Sequence, residues 1–191
     1  MVKFSKMKLI KYVKIITIFF FTILTNLNAN EKEIELNKLF NDLKVDNISL
    51  SAEIEQKIWK LWSTHPSDKR LTKMLAEGSY MVNEQKFEEA ILIFSRVIEL
   101  DPKWAEAWNK RATVLYMVGE YQKSQNDINK VLELEDRHFG ALAGQGLVNI
   151  QLENYEKAIR SYEKAQKIYP SMKSPERMIN KIKELIKKQS I

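Results

Sequence analysis

No cysteine occurs in the 191 residues. Disulfides, a thiolate nucleophile, a zinc–thiolate centre and a lipidated bacterial-type cysteine are therefore excluded. Histidine is nearly absent too: His65 and His138 are the only two, both in expected loops and without a carboxylate cluster at ligand spacing. Neither a metal site nor a histidine acid–base group is expected from them. Also missing are a Gly-rich phosphate loop, a G-x-S-x-G elbow, an H-E-x-x-H pair and two carboxylates isolated in an apolar setting. Gly140, Gly144 and Gly146 are spaced like part of a nucleotide loop, but no strand precedes them and they lie in an expected helix. No catalytic residue, cofactor or metal is expected, and the protein reads as a non-enzyme.

Acidic residues are absent from residues 1–29, which hold Lys3, Lys6, Lys8, Lys11 and Lys14 ahead of an apolar run at 15–24 and the Asn-Leu-Asn-Ala-Asn around Ala29. Lysines, a short apolar run and a small residue read as a secretory signal peptide, with cleavage near Asn30. An uncut signal anchor is the alternative, although the apolar stretch is short for a span and interrupted by Lys14. In either case the lysines stay inside and the remainder is exported, to the periplasm or out of the cell. Membrane contact is expected only through an uncleaved signal segment. Beyond residue 29 the 26 basic and 25 acidic groups leave a net charge of +1. That balance argues against a nucleic-acid partner.

What is present is a repeat. From Leu71 to Met172 one pattern returns at a spacing of 34: Gly78, Ala112 and Gly146 share a position, and Ala90, Ser124 and Ala158 share another twelve residues on. Large residues keep the same register, with Met74, Trp108 and Leu142, then Phe87, Tyr121 and Tyr155, then Phe94, Ile128 and Tyr162. Asp101-Pro102, Asp136 and Pro170 close each unit. Proline lacks the N–H and clashes with the preceding turn, so each unit reads as a helix, a tight turn and a helix. Small residues facing bulky ones let two antiparallel helices approach. The class is all-α, with no alternating strand pattern outside the repeats.

This combination resembles the tetratricopeptide repeat, whose period is 34 and whose signature runs Trp, Leu-Gly, Tyr, Ala, Phe, Ala, Pro. Trp108, Ala112, Leu115, Tyr121 and Ser124 carry it in the second unit; Gly78, Phe87, Ala90, Phe94 and Pro102 in the first; Gly146, Tyr155, Ala158, Tyr162, Ala165 and Pro170 in the third. Met74 and Leu142 stand where Trp is usual, Asn149 for a Tyr and Asp136 for Pro. The resemblance implies a right-handed solenoid of three repeats, at about 71–104, 105–138 and 139–172 within residues 67–172. Arg111 and Asp127 occupy positions at which the family pairs an Arg with an Asp across the hairpin, and a partly buried bridge is expected.

The flanks read as caps. Residues 30–66 hold two helical patterns, Ile34 to Leu43 and Leu50 to Trp62, expected to form a hairpin over the apolar end of the solenoid, with Trp59 and Trp62 in a core. Ser67 or Asp68 is the expected N-cap of the first repeat. Residues 173–191 read as a capping helix begun by Ser174 and Pro175, with Met178, Ile179, Ile182, Leu185 and Ile186 on one face and Arg177, Lys181, Lys183, Lys187 and Lys188 opposite.

The resemblance also implies function. The first helix of each repeat lines a concave groove that holds an extended partner segment, which places Leu75, Ser79, Val82 and Asn83, then Asn109, Thr113, Tyr116 and Met117, then Ala143, Leu147, Ile150 and Gln151 in the peptide-binding groove. Leu75 and Ala143 stand where a carboxylate-gripping member would carry basic groups, so the expected partner is a protein segment with apolar anchors. The implied role is a scaffold or adaptor of the periplasm or cell envelope; the alternative is an accessory subunit of an envelope enzyme or transport complex.

Overall fold

The computed structural model describes residues 31–44 and 48–189. The expected signal, its cleavage near Asn30 and any membrane anchoring lie outside the described residues. Among those described, no helix is long and apolar enough to cross a membrane. They form nine helices and no strand. These are α1 (31–42), α2 (Ile48–Trp62), α3 (Lys69–Asn83), α4 (Phe87–Leu100), α5 (Ala105–Met117), α6 (Tyr121–Leu134), α7 (Phe139–Gln151), α8 (Tyr155–Ile168) and α9 (Lys173–Gln189).

The three repeats are the pairs α3–α4, α5–α6 and α7–α8. Asp68 caps α3, its carboxylate accepting from the Arg70 N–H at 2.8 Å. The turn inside each pair is closed by a residue in the left-handed region at equivalent positions: Gln85 (φ 59°), Gly119 (φ 82°) and Glu153 (φ 58°). The next N–H reaches back five residues each time, Lys86 to Met81 O, Glu120 to Leu115 O and Asn154 to Asn149 O. That bond satisfies a carbonyl the helix end would otherwise leave unpaired.

Register explains the packing. A Cβ on Gly78 would stand 2.5 Å from the Phe94 ring, and one on Gly146 would stand 2.5 Å from the Tyr162 ring. Where the second repeat carries Ala112, the facing residue is the smaller Ile128, and Ser124 Oγ donates to Ala112 O at 2.8 Å. Small and large sizes thus trade off across each helix pair. Burying a side chain such as Phe94 contributes roughly 1.5–3 kcal/mol.

The N-terminal hairpin differs from expectation. It lies lengthwise along the loops that join successive repeats and reaches the third, rather than closing only the first. Leu36, Leu39, Phe40, Leu43, Ile54, Ile58 and Trp62 share one buried cluster with Phe139 and Tyr169. Trp59 packs on Gly140, where a Cβ would stand 2.5 Å from the indole, and Trp62 stacks on His138. Trp104 Nε1 donates to Trp62 O at 2.8 Å, and Tyr169 pairs with Glu55 at 3.1 Å. The physical reason is aromatic packing: the two indoles carry large apolar areas to bury, and Phe139 of the third repeat, itself packed on Tyr169, supplies the ring that both of them meet. The expectation that these tryptophans are core residues agrees with this.

At the other end α9 begins at Lys173, two residues before the expected first helical position at Pro175, so Ser174 lies in its first turn and is not the cap. Its apolar face packs on α8 through Ile179 and Ile182, against Ala158 and Tyr162. Arg177, Lys181, Lys183, Lys187 and Lys188 are exposed.

Candidate functional site: the concave face

The first helices, α3, α5 and α7, were expected to line a groove, and the structure separates the twelve candidates into groups. Leu75 is not available at the surface: only 2% exposed, it sits in the core with Leu71, Ala90, Phe94 and Val97. Ser79 turns its hydroxyl back to Leu75 O at 3.0 Å, Val82 packs on the same core, and Asn83 is exposed. Met117 and Gln151 are also exposed, and Ala143 leans on the α8–α9 core.

The remaining candidates converge. Asn109, Thr113, Tyr116 and Leu147 line one cavity of about 80 Å³ between α5 and α7, with Ala112, Ile128, Gly140, Gly144 and Val148 among its other walls. Tyr116, Leu147, Ile150 and Gln151 line a second of about 210 Å³, whose opposite side is Met178, Lys181, Ile182 and Leu185 of α9. Two residues, Tyr116 and Leu147, belong to both. The candidates that line these two cavities therefore lie in the half nearest the C-terminus.

The Asn109 amide is already engaged within the protein. Its Nδ2 donates to Glu106 Oε2 at 3.1 Å, and His138 Nε2 lies 3.1 Å from the same oxygen. Both the Glu106 and the His138 side chains are fully buried. His138 Nδ1 accepts from the Ala141 N–H, so its ring proton is on Nε2 and donates to the carboxylate. Lys110 Nζ lies 3.4 Å from Glu106 Oε1. His65 repeats the arrangement: Nδ1 accepts from the Ser67 and Asp68 N–H groups, and Nε2 faces Asp101 Oδ2 at 2.8 Å. Each histidine is a loop staple with a single carboxylate partner. Among the described residues no group of three potential ligands could hold a metal ion.

The convex side holds the expected bridge. Arg111 Nε and Nη2 donate to Asp127 Oδ2 and Oδ1 at 2.7 and 2.8 Å, and Nη1 donates to Ser95 Oγ at 3.0 Å. The two-pronged geometry ties α5 to α6 and, through Ser95, to α4. It fixes the scaffold and leaves this arginine no role in the groove.

The α9 lining was missed from the sequence, although a signal existed. Carrying the 34-residue frame one period beyond Leu147 lands on Lys181, and from Gln151 on Leu185. The terminal helix thus supplies a fourth wall.

Comparisons with known proteins agree with this architecture. The Tetratricopeptide repeat family profile matches residues 139–172. A TPR repeat-containing protein of Rhizobium etli is 31% identical over 161 residues, spanning 83% of this chain and 78% of that one. The Hsp70-Hsp90 organizing protein of Triticum aestivum is 28% identical over 95 residues, 50% of this chain but only 16% of its own length. Among solved structures, the first TPR of Spaghetti (RPAP3) bound to an HSP90 peptide is similar in fold, with a TM-score of 0.60 at 19% identity, covering 62% of this chain and 95% of that one. The Yersinia enterocolitica type III secretion chaperone SycD, in complex with a peptide of the translocator YopD, is also similar in fold, with a TM-score of 0.58 at 13% identity, covering 63% and 97%. With three helix pairs in a common register and a relative that matches along most of both chains, this protein belongs to the tetratricopeptide repeat family.

Proposed function

We propose that this chain is a non-catalytic scaffold that holds a segment of another protein against its concave face, and that it does so in the periplasm or cell envelope after export. The observation that carries the binding reading is the pair of adjoining cavities that meet at Tyr116 and Leu147. Their lining is apolar or uncharged apart from Lys181, and Leu147 and Met117 are large apolar side chains left at the surface. Such a surface suits a segment that brings apolar anchors, as an extended strand or an amphipathic helix. Structures of similar fold that hold peptides favour a peptide ligand. Export is supported by the lysine-rich, acid-free start and the apolar run that follows it.

The test compares wild type with the double variant Tyr116→Ala/Leu147→Ser as bait in a native envelope fraction, after circular dichroism has shown that both are helical. Proteins held by wild type should be absent from the variant. Undiminished capture would move the binding surface to the convex side or to the basic face of α9.

A further inference from the structure

Four of the five glycines have a structural reason. Gly119 has a positive φ of 82°, Gly78 and Gly146 lie under the Phe94 and Tyr162 rings, and Gly140 lies under Trp59. Gly144 has none. Its backbone is helical, and an added Cβ would meet only Ile128 Cδ1 at 3.7 Å, an ordinary contact. A glycine inside a helix is less stable than alanine there, because the unfolded chain has more freedom to lose. The equivalent positions of the first and second repeats carry Ala76 and Lys110, so this register accepts side chains.

Gly144 lines the cavity of about 80 Å³ between α5 and α7, where a longer side chain would take up its space. Thr113 and Leu147 flank it, and Ile128 and Ala112 are among its walls. A cavity that takes a benzene ring measures roughly 150 Å³. The space therefore suits a branched aliphatic side chain better than an aromatic one. The cavity adjoins the α9 side through Tyr116 and Leu147, where Lys181 is the one charged residue among those lining the two. Lys181 is exposed, so an occupant running toward α9 meets its positive charge.

We infer that Gly144 is a specificity determinant of the groove: it holds open a subsite for one Val, Leu or Ile side chain of a partner segment that also presents a carboxylate side chain toward Lys181. This rests on the groove reading proposed above. Filling the subsite from within should abolish recognition while leaving the helix intact or firmer.

The experiment selects random 12-residue peptides displayed on phage, fused at their C-termini so that no free terminal carboxylate is present, on the purified protein. The selected peptides are synthesised with amidated C-termini and titrated against wild type, Gly144→Ala, Gly144→Leu, Lys181→Glu and Tyr116→Ala. Expected are peptides that pair an aliphatic residue with Asp or Glu, bind Gly144→Leu at least tenfold more weakly, and bind Lys181→Glu more weakly than wild type. The Gly144 variants should melt no lower than wild type. If the Leu variant loses its helical signal, Gly144→Ala carries the comparison, because its single methyl already intrudes on the cavity. Peptides weakened by Tyr116→Ala but unaffected by either Gly144 variant would overturn the subsite and leave the groove reading standing. Peptides indifferent to all four variants would overturn both. Selection of aromatic anchors in place of aliphatic ones, or of no binder at all, would overturn the subsite.

Discussion

The imidazole of His138 lies flat on the indole of Trp62, with ring centroids 3.9 Å apart and planes 8° apart. One ring belongs to the N-terminal hairpin and the other opens the third repeat. The same imidazole accepts the Ala141 N–H and donates to Glu106. Replacing His138 with Phe keeps a flat ring on Trp62 and removes both hydrogen bonds, leaving a fully buried carboxylate short of a donor. A loss of about 1–3 kcal/mol is expected. Trp62→Ala should cost more, about 3–5 kcal/mol, since it empties the centre of the cluster. Urea midpoints rank the two, and a Phe variant as stable as wild type would show that the Glu106 contact contributes nothing.

Tyr162 occupies the position held by Phe94 in the first repeat, and its buried hydroxyl has no partner. Burial pushes its ionisation well above the ordinary tyrosine range. Tyr162→Phe removes an unsatisfied polar atom and keeps the ring over Gly146. It should be neutral or stabilising by up to about 1 kcal/mol, read as an unchanged or higher thermal midpoint. A clear drop in that midpoint would mean that the hydroxyl is satisfied.

Tyr169 gives a pH dependence. Burial, and then the charge and hydrogen bond of Glu55, raise its phenol to about 12. A group whose folded pKa is raised contributes stability that is complete below the unfolded value near 10 and is lost as pH rises through the folded one. Between pH 9 and 11.5 wild type should lose stability more steeply than Tyr169→Phe, by something of the order of 1–2 kcal/mol. Parallel losses in the two proteins would show that Tyr169 titrates as an exposed phenol.

The Arg111 and Asp127 side chains are 21% and 6% exposed. Asp127→Ala leaves a largely buried guanidinium with Ser95 and the Trp108 ring as its remaining partners and should cost about 3 kcal/mol, the lower end of the range for breaking a buried pair. In a double-mutant cycle with Arg111→Met, the coupling should exceed about 1 kcal/mol. Additive losses would show that the bidentate contact is without energetic weight.

The repeats were legible because their determinants are local. Gly78 with Phe94, and Gly146 with Tyr162, are sixteen residues apart within one hairpin, so size complementarity appears in the register itself. The docking of α1–α2 was not legible. Arg137 reaches back 104 residues to Glu33, and Tyr169 reaches back 114 to Glu55, separations at which no periodicity speaks. The groove was half legible. Tyr116, Leu147 and Ile150 stand where the repeat frame puts them, but Leu75 turned out to be core because the first repeat presses it onto Phe94 and Val97. Glu106 and His138 were hidden for another reason: each has an ordinary surface-residue identity, and only the fold makes them partners.

In a simple stack each repeat touches only its neighbours, so the array can fray from either end and bend like a spring. The hairpin changes that. His65 grips the loop after the first repeat at Asp101, Trp62 grips the second at Trp104 and the third at His138, and Glu55 holds Tyr169 at the third repeat's far end. The hairpin and the loop after it therefore touch all three repeats, and opening any one of them breaks a contact to that shared element. The array should melt as one cooperative unit, and the curvature of its concave side is set before a ligand arrives.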